Sequence, residues 1–254
     1  MTDLKVFIPC RLSSTRLPSK VLLPLEGLPI LQHVYLRLLS VFPRDSIFIV
    51  TCDDKIISLA NSFGAFSIKT SSAHLSGTSR INEAISMQQC DLALIVQADE
   101  PLLDPSVVSE FANSCLNCSD FHFSNLVSPL SSCDDLINPS VVKCVHTCNR
   151  LIYFFRNNPF TSNFVDILPF TKKLNGIYCY SSDVLKTSFS SCQTSFSLTE
   201  SIEQLHLLEQ GFDLSFYQSS VTYPDVNTHS DYLEVSRLLS TDDYQRSILR
   251  RVLH

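Results

Sequence analysis

Leu92-Ala93-Leu94-Ile95-Val96 is apolar at every position. A strand without a polar face must be covered on both sides, so this run predicts a buried strand at the centre of a sheet. Val6-Phe7-Ile8 and the SIFIVT run at 46–51 predict two more buried strands, and 65–70 a weaker one. Between them lie stretches with helical apolar spacing. Leu28 to Leu39 is one, with Pro29 tolerated in its first turn, and Lys55 to Phe63 is another, stopped by Gly64. A polar loop from Ser71 to Arg80 opens a helix near Ile81, and Asp104 caps a helix that reaches Cys115. Strands alternating with helices predict an α/β fold with a mostly parallel sheet flanked by helices.

After Asp120 the pattern changes. FHFSNLVSPL, VVKCVH, RLIYFF and NGIYCYS are short β-rich stretches between turn residues, and they predict a smaller antiparallel or mixed section. Thr199 to Gln210 predicts one helix stopped by Gly211, Leu214 to Tyr217 a strand, and Ser230 to Leu239 and Asp242 to Leu253 closing helices. With no repeat or linker, the 254 residues predict a single domain, 1–254, in three parts of about 1–119, 120–190 and 191–254.

The loop after the first strand carries Arg11, Arg16 and Lys20 among the hydroxyls of Ser13, Ser14, Thr15 and Ser19. No core needs three cations there. They suit a polyanion at the carboxyl edge of an α/β sheet, where Arg offers a flat fork to phosphate oxygens and Lys a movable point charge. Formal net charge is −6, so this anion site is local, and a general nucleic-acid binder is disfavoured. No apolar run approaches the roughly 20 residues of a membrane span. The N-terminus lacks the basic and apolar regions of a signal peptide, so a cytoplasmic protein with reduced cysteines is expected. Cys115 and Cys118 have CxxC spacing, but no second pair accompanies them, and structural zinc is not expected.

The central strand delivers Gln97, Ala98, Asp99 and Glu100. Two carboxylates there are costly unless solvated, paired or bound to a cation; a turn or helix cap would also place them. A divalent metal such as Mg2+ takes hard oxygen ligands and bridges to phosphates, so Asp99 beside a cationic loop points to phosphoryl transfer. A third group is His74, Ser76, Gly77, Thr78 and Arg80, in which Gly77 permits close backbone approach and Arg80 suits a carboxylate. Neither GxxxxGK[ST] nor GxGxxG is present, which disfavours a P-loop ATPase and a dinucleotide fold.

PCRLSSTRLPSK resembles the P-A-R-x-x-S-T-R-L-P-G-K opening of the 3-deoxy-manno-octulosonate cytidylyltransferases, also called CMP-Kdo synthetases. HLSGTSR, VQADEPLLDP, INPSVVKCV, LIYFFRNNP, NGIYCYSSDVL and LTESIEQLHLLEQG are similar to further blocks of that family, in the same order along nearly the whole chain. The resemblance implies a Rossmann-like nucleotidyltransferase sheet whose first part binds nucleotide and whose β-rich second part binds sugar and forms a homodimer. It implies CMP transfer from CTP to the anomeric hydroxyl of Kdo, with release of pyrophosphate, in lipopolysaccharide biosynthesis. Lys20, Arg16 and Asp99 would be catalytic. Arg11, Ser14, Thr15, Arg16, Lys20, Ser76, Gly77 and Thr78 would hold the nucleotide. Arg80, Gln97, Arg156, Tyr178, Glu203 and Gln204 would face the sugar. Asp99 and Asn227, or Asp225 instead, would hold Mg2+.

Four positions depart from the pattern. Asn227 stands where the family has Asp, Leu174 or Asn175 where it has His, Ala98 and Ser19 where it has Gly. These changes leave room for another acidic sugar, as in acylneuraminate-type or spore-coat-type enzymes, or for a weakened nucleotide-binding homologue.

Overall fold

The computed structural model describes residues 2–14, 16–74, 76–159, 164–189 and 194–253, with backbone alone at 164 and 165. Thr15, expected at the nucleotide, lies outside the described residues. The first half runs β1 (Leu4–Pro9), a small hairpin β2 (Pro24–Leu25) and β3 (Leu28–Pro29), α1 (Ile30–Leu39), β4 (Ile47–Thr51) and α2 (Asp54–Ser62). It continues with β5 (Phe66–Lys69), α3 (Gly77–Met87), β6 (Leu92–Val96) and α4 (Pro105–Leu116). The second half holds β7 (Phe123–Ser128), α5 (Asp134–Ile137), β8 (Lys143–His146), β9 (Leu151–Phe155), α6 (Phe164–Ile167) and β10 (Thr171–Ser181). Then come α7 (Ser182–Ser188), α8 (Ser195–Glu200), α9 (Leu205–Glu209), β11 (Ser215–Gln218), α10 (His229–Thr241) and α11 (Asp243–Leu253).

The strand order is β11-β7-β10-β6-β1-β4-β5, with β8 on β10 and β9 on β8. β6, β1, β4 and β5 are mutually parallel, and β10 enters antiparallel between β6 and β7. Alternate residues of the central strands feed opposite cores. Val6, Ile8, Leu94 and Val96 pack on one side, and Phe7, Ala93 and Ile95 on the other. This is the double coverage that an all-apolar strand requires. A third cluster, with Leu25, Leu102, Val226 and Val235, joins the β2–β3 hairpin to α10 and fixes the chain just before Asn227.

Two local expectations change. α3 begins at Gly77 rather than near Ile81, because Ser76 Oγ caps it by accepting from Ser79 N at 3.1 Å. The helix expected over 199–210 is broken into α8 and α9 at Ser201, which is left-handed at φ 54°. The break turns Ile202, Glu203 and Gln204 inward, where Glu203 finds backbone donors on α3. Ser19 also adopts a left-handed backbone, φ 55°, at a cost of about 1–2 kcal/mol that glycine would escape.

Candidate active site

The carboxyl ends of β1 and β6 open onto a cavity of about 310 Å³. The loop after β1 contributes Arg11, Ser14, Arg16 and Lys20, α3 contributes Ser76, Gly77 and Arg80, and the segment after β6 contributes Gln97 and Asp99. A second cavity of about 150 Å³ lies beside it, walled by Arg156, Lys173, Gln204 and Asp225. Arg16, Gln97, Tyr178, Glu203 and Asn227 line both, so the two cavities meet along one wall.

Lys20 lines the first cavity and reaches the shared wall through Asn227. Its ammonium donates to Asp99 Oδ2 at 2.5 Å, the Val226 carbonyl at 2.9 Å and Asn227 Oδ1 at 3.3 Å. Arg16 donates to the same Asn227 oxygen at 3.0 Å and to Ser140 Oγ at 3.1 Å. Three hard oxygens thus converge on one cationic point, a donor set that suits Mg2+ shared with substrate phosphates. Among the described residues no cluster of three His, Cys, Asp or Glu could hold a metal by itself.

Asn227 departs from the expected Asp in an informative way. Its amide nitrogen donates to Asp225 Oδ2, so a carboxylate remains next to the site, two residues earlier. Asp225 is committed elsewhere: Lys173 donates to its Oδ1 at 2.9 Å and to the Tyr223 carbonyl at 2.9 Å. Burial works against the Asp225 charge, but Lys173 outweighs it and holds the carboxyl below the usual range.

Glu100 sits behind this pair and accepts from Gly176 N at 2.7 Å. Gly176 is needed there, since a Cβ would lie 2.9 Å from Glu100 Oε1. Burial, then the neighbouring Asp225 charge, raises the Glu100 carboxyl to about 7. A carboxyl raised above its ordinary value stabilises the fold when protonated and loses that contribution as pH rises through the folded value. The melting temperature is therefore expected to fall between about pH 5 and about pH 8, and Glu100→Gln to flatten that fall in thermal melts. An unchanged slope would place the proton elsewhere.

Not every expected residue meets the second cavity. Arg80 is buried on the first, donating to Thr70 Oγ1 at 2.7 Å and the Ser71 carbonyl at 3.3 Å. Thr78, expected at the nucleotide, lines neither cavity: it is buried beneath the start of α3, with its N–H on Glu203 Oε2 at 2.9 Å. The other Glu203 oxygen accepts from Gly77 N at 3.1 Å, so the carboxylate ties the second cavity to the helix start of the first. Gln204 donates to Asn125 Oδ1 at 3.3 Å. Leu174 and Asn175, the two candidates for the place of His, both line the second cavity, and burial pushes the Tyr178 phenol up. Ala98 packs into the core at the edge of the first cavity.

Similarity to known proteins agrees with this geometry. Residues 6–217 match the family model described as cytidylyltransferase. A 3-deoxy-manno-octulosonate cytidylyltransferase from Francisella tularensis subsp. novicida is 34% identical over 251 residues, covering 94% of this chain and 100% of that protein. Its counterpart from Thermodesulfovibrio yellowstonii is 31% identical over 248 residues, covering 92% and 97%. This chain belongs to the 3-deoxy-manno-octulosonate cytidylyltransferase family. A solved CMP:2-keto-3-deoxy-manno-octonic acid synthetase complexed with CTP superposes with a TM-score of 0.85 at 30% identity, over 95% of this chain and 100% of that one. A cytidylyltransferase from Leptospira borgpetersenii, 18% identical with a TM-score of 0.66 over 94% and 87%, shares the fold.

Beyond the expected residues, Lys173 and Ser140 line the second cavity of this cytidylyltransferase, and Asn125 supports it from the core through Gln204. Asn125 is buried and donates to Asn175 and Ile177 carbonyls at 3.0 and 3.2 Å, pinning the register shift of β10 that brings Gly176 to Glu100. Lysines inside otherwise apolar strands, as in VVKCVH and KKLNGIYCY, were the available signal. Among the described residues no helix is long and apolar enough to cross a membrane, and the cysteines are free thiols.

Proposed function

We propose that this chain transfers CMP from CTP to the anomeric hydroxyl of Kdo or a close analogue, releasing pyrophosphate. The carrying observation is the shared wall: a cationic cavity able to take a triphosphate, lined by Lys20 and Asp99, adjoins a second one bearing Arg156, and Arg16 and Asn227 line both. A sugar hydroxyl in the second cavity then faces the α-phosphate in the first, and holding two reactants in one cleft supplies much of the rate.

Arg11, Arg16 and Lys20 bind the triphosphate and offset the charge that builds on leaving pyrophosphate. Ser14, Ser76 and Gly77 approach the nucleotide. Arg156, Gln204, Tyr178 and Gln97 orient the acceptor, with the Arg fork matched to a sugar carboxylate. Asp99 and Asn227 hold Mg2+, with Asp225 as the nearby alternative carboxylate. Bound there, the ion supplies charge neutralisation on the phosphates. The reading extends to a homodimer formed through the second half, supported by the exposed Ile152 and Phe170 beside the β8–β9 edge. It also extends to a cytoplasmic enzyme serving lipopolysaccharide synthesis. Leu174 in the second cavity favours one alternative, another acidic ketose acceptor.

Pyrophosphate release from CTP, measured with and without Mg2+ and with Kdo as acceptor, tests the proposal. Release that needs CTP, Mg2+ and Kdo together is expected. CTP binding without release for Kdo, but with release for a different acidic sugar, would reassign the acceptor. Neither binding nor release would overturn the reading.

A further inference from the structure

Lys143 opens β8 and has no solvent-exposed surface. Its ammonium donates to the carbonyls of Asn138 and Val141, each at 2.8 Å, and to the carbonyl of Arg156. All three acceptors are neutral backbone oxygens. A buried cation is expensive unless its donors are satisfied, and an apolar side chain would serve a core better. The partners are also unlike a core set. Asn138 and Val141 flank Ser140, which accepts from Arg16, and Val141 lines the second cavity. Arg156 leaves the end of β9 and donates to the carbonyls of Pro139, Glu200 and Ser201, each at 3.2 Å.

We infer that Lys143 is a positioning residue for the acceptor: its ammonium pins the 138–141 segment to the backbone of Arg156 and so holds both sides of that cavity wall in register. The inference rests on the reading of the second cavity as the acceptor site. The charged groups around Lys143 are Arg156 beyond the end of β9, Asp135 on α5, and its cross-strand neighbour Lys173 on β10, itself paired with Asp225. Burial, followed by Arg156, lowers the Lys143 ammonium to about 8, with Asp135 opposing. Above that pH one N–H becomes a lone pair facing a carbonyl oxygen, and the pin loosens.

The test separates the two Michaelis constants in the full-length enzyme. For the parent, the KM for Kdo is expected to rise severalfold from about pH 7 to about pH 9 while the KM for CTP shows no matching step. Lys143→Met is expected to raise the KM for Kdo about tenfold at neutral pH, remove the step, and leave the KM for CTP within about twofold. A flat parent profile for Kdo overturns the inference, as does a folded Lys143→Met enzyme with a parental KM for Kdo. Should Lys143→Met fail to fold, the parent profile alone decides. Arg156→Ala distinguishes the two levels. If it leaves the KM for Kdo unchanged, the acceptor-site reading fails as well. If it raises that KM while Lys143→Met does not, only the role of Lys143 falls.

Discussion

Asp99→Asn is expected to lower the rate of pyrophosphate release by about three orders of magnitude or more. Among the described residues, Lys20 donates to one carboxylate oxygen, Asp99 Oδ2, and to the Val226 carbonyl and the Asn227 amide oxygen. Asp225 cannot readily replace it, because Lys173 and the Asn227 amide nitrogen occupy its two oxygens. Changing Asp99 to an amide leaves neutral oxygens at the point where the proposed Mg2+ would sit. The fold should tolerate the change. The Lys20–Asp99 pair is mostly buried, at 14% and 12% side-chain exposure, but the amide keeps an oxygen acceptor and Lys20 keeps the Val226 and Asn227 oxygens, so the loss is about 1–3 kcal/mol. Steady-state release, CTP calorimetry and a thermal melt on one sample check this. Activity within tenfold of the parent, with a normal melt, would remove Asp99 from the reaction and point to Asp225.

Lys173→Met carries the largest expected stability effect. Lys173 is 6% exposed and lies between Asp225, at 2.9 Å, and Glu100. Burial opposes its charge, but Asp225 and then Glu100 hold its ammonium above the usual range. Removing it leaves two buried carboxylates side by side without a cation. Stranding a buried charge in this way costs about 3–5 kcal/mol. For a chain of this length that corresponds to a melting temperature lower by about 6–20 °C. The sign of the pH dependence separates charge from packing. Without Lys173 both carboxyls titrate higher in the folded state, so they stabilise it when protonated and lose that contribution as pH rises. The gap between variant and parent should therefore be widest above about pH 7 and narrow toward about pH 5. A gap of constant width would mean that lost packing, not charge, causes the destabilisation.

The all-apolar runs that form β1, β4 and β6 made the parallel sheet legible, because a strand without a polar face has one stable environment. The same short-range logic placed Arg11, Arg16, Lys20, Asp99 and Gly77 at the carboxyl edge, since each lies within a few residues of a strand or helix end. It failed over 199–210, where good helix formers are broken at Ser201. Glu203 is drawn to the N–H groups of Gly77 and Thr78, more than a hundred residues away in sequence, and that attraction is invisible locally.

What the sequence determined by itself was the architecture and the chemical type of the cleft, because hydrophobic period and the residues at strand ends act over short range. What only the tertiary structure decided was which charge meets which. Asp225 pairs with Lys173, Arg80 lines the first cavity and not the second, and Lys143 donates to the Arg156 carbonyl. These pairings join residues from separate strands and loops. A buried charge settles on whichever partner the packed chain brings within hydrogen-bonding distance, and that distance exists only once the sheet has formed.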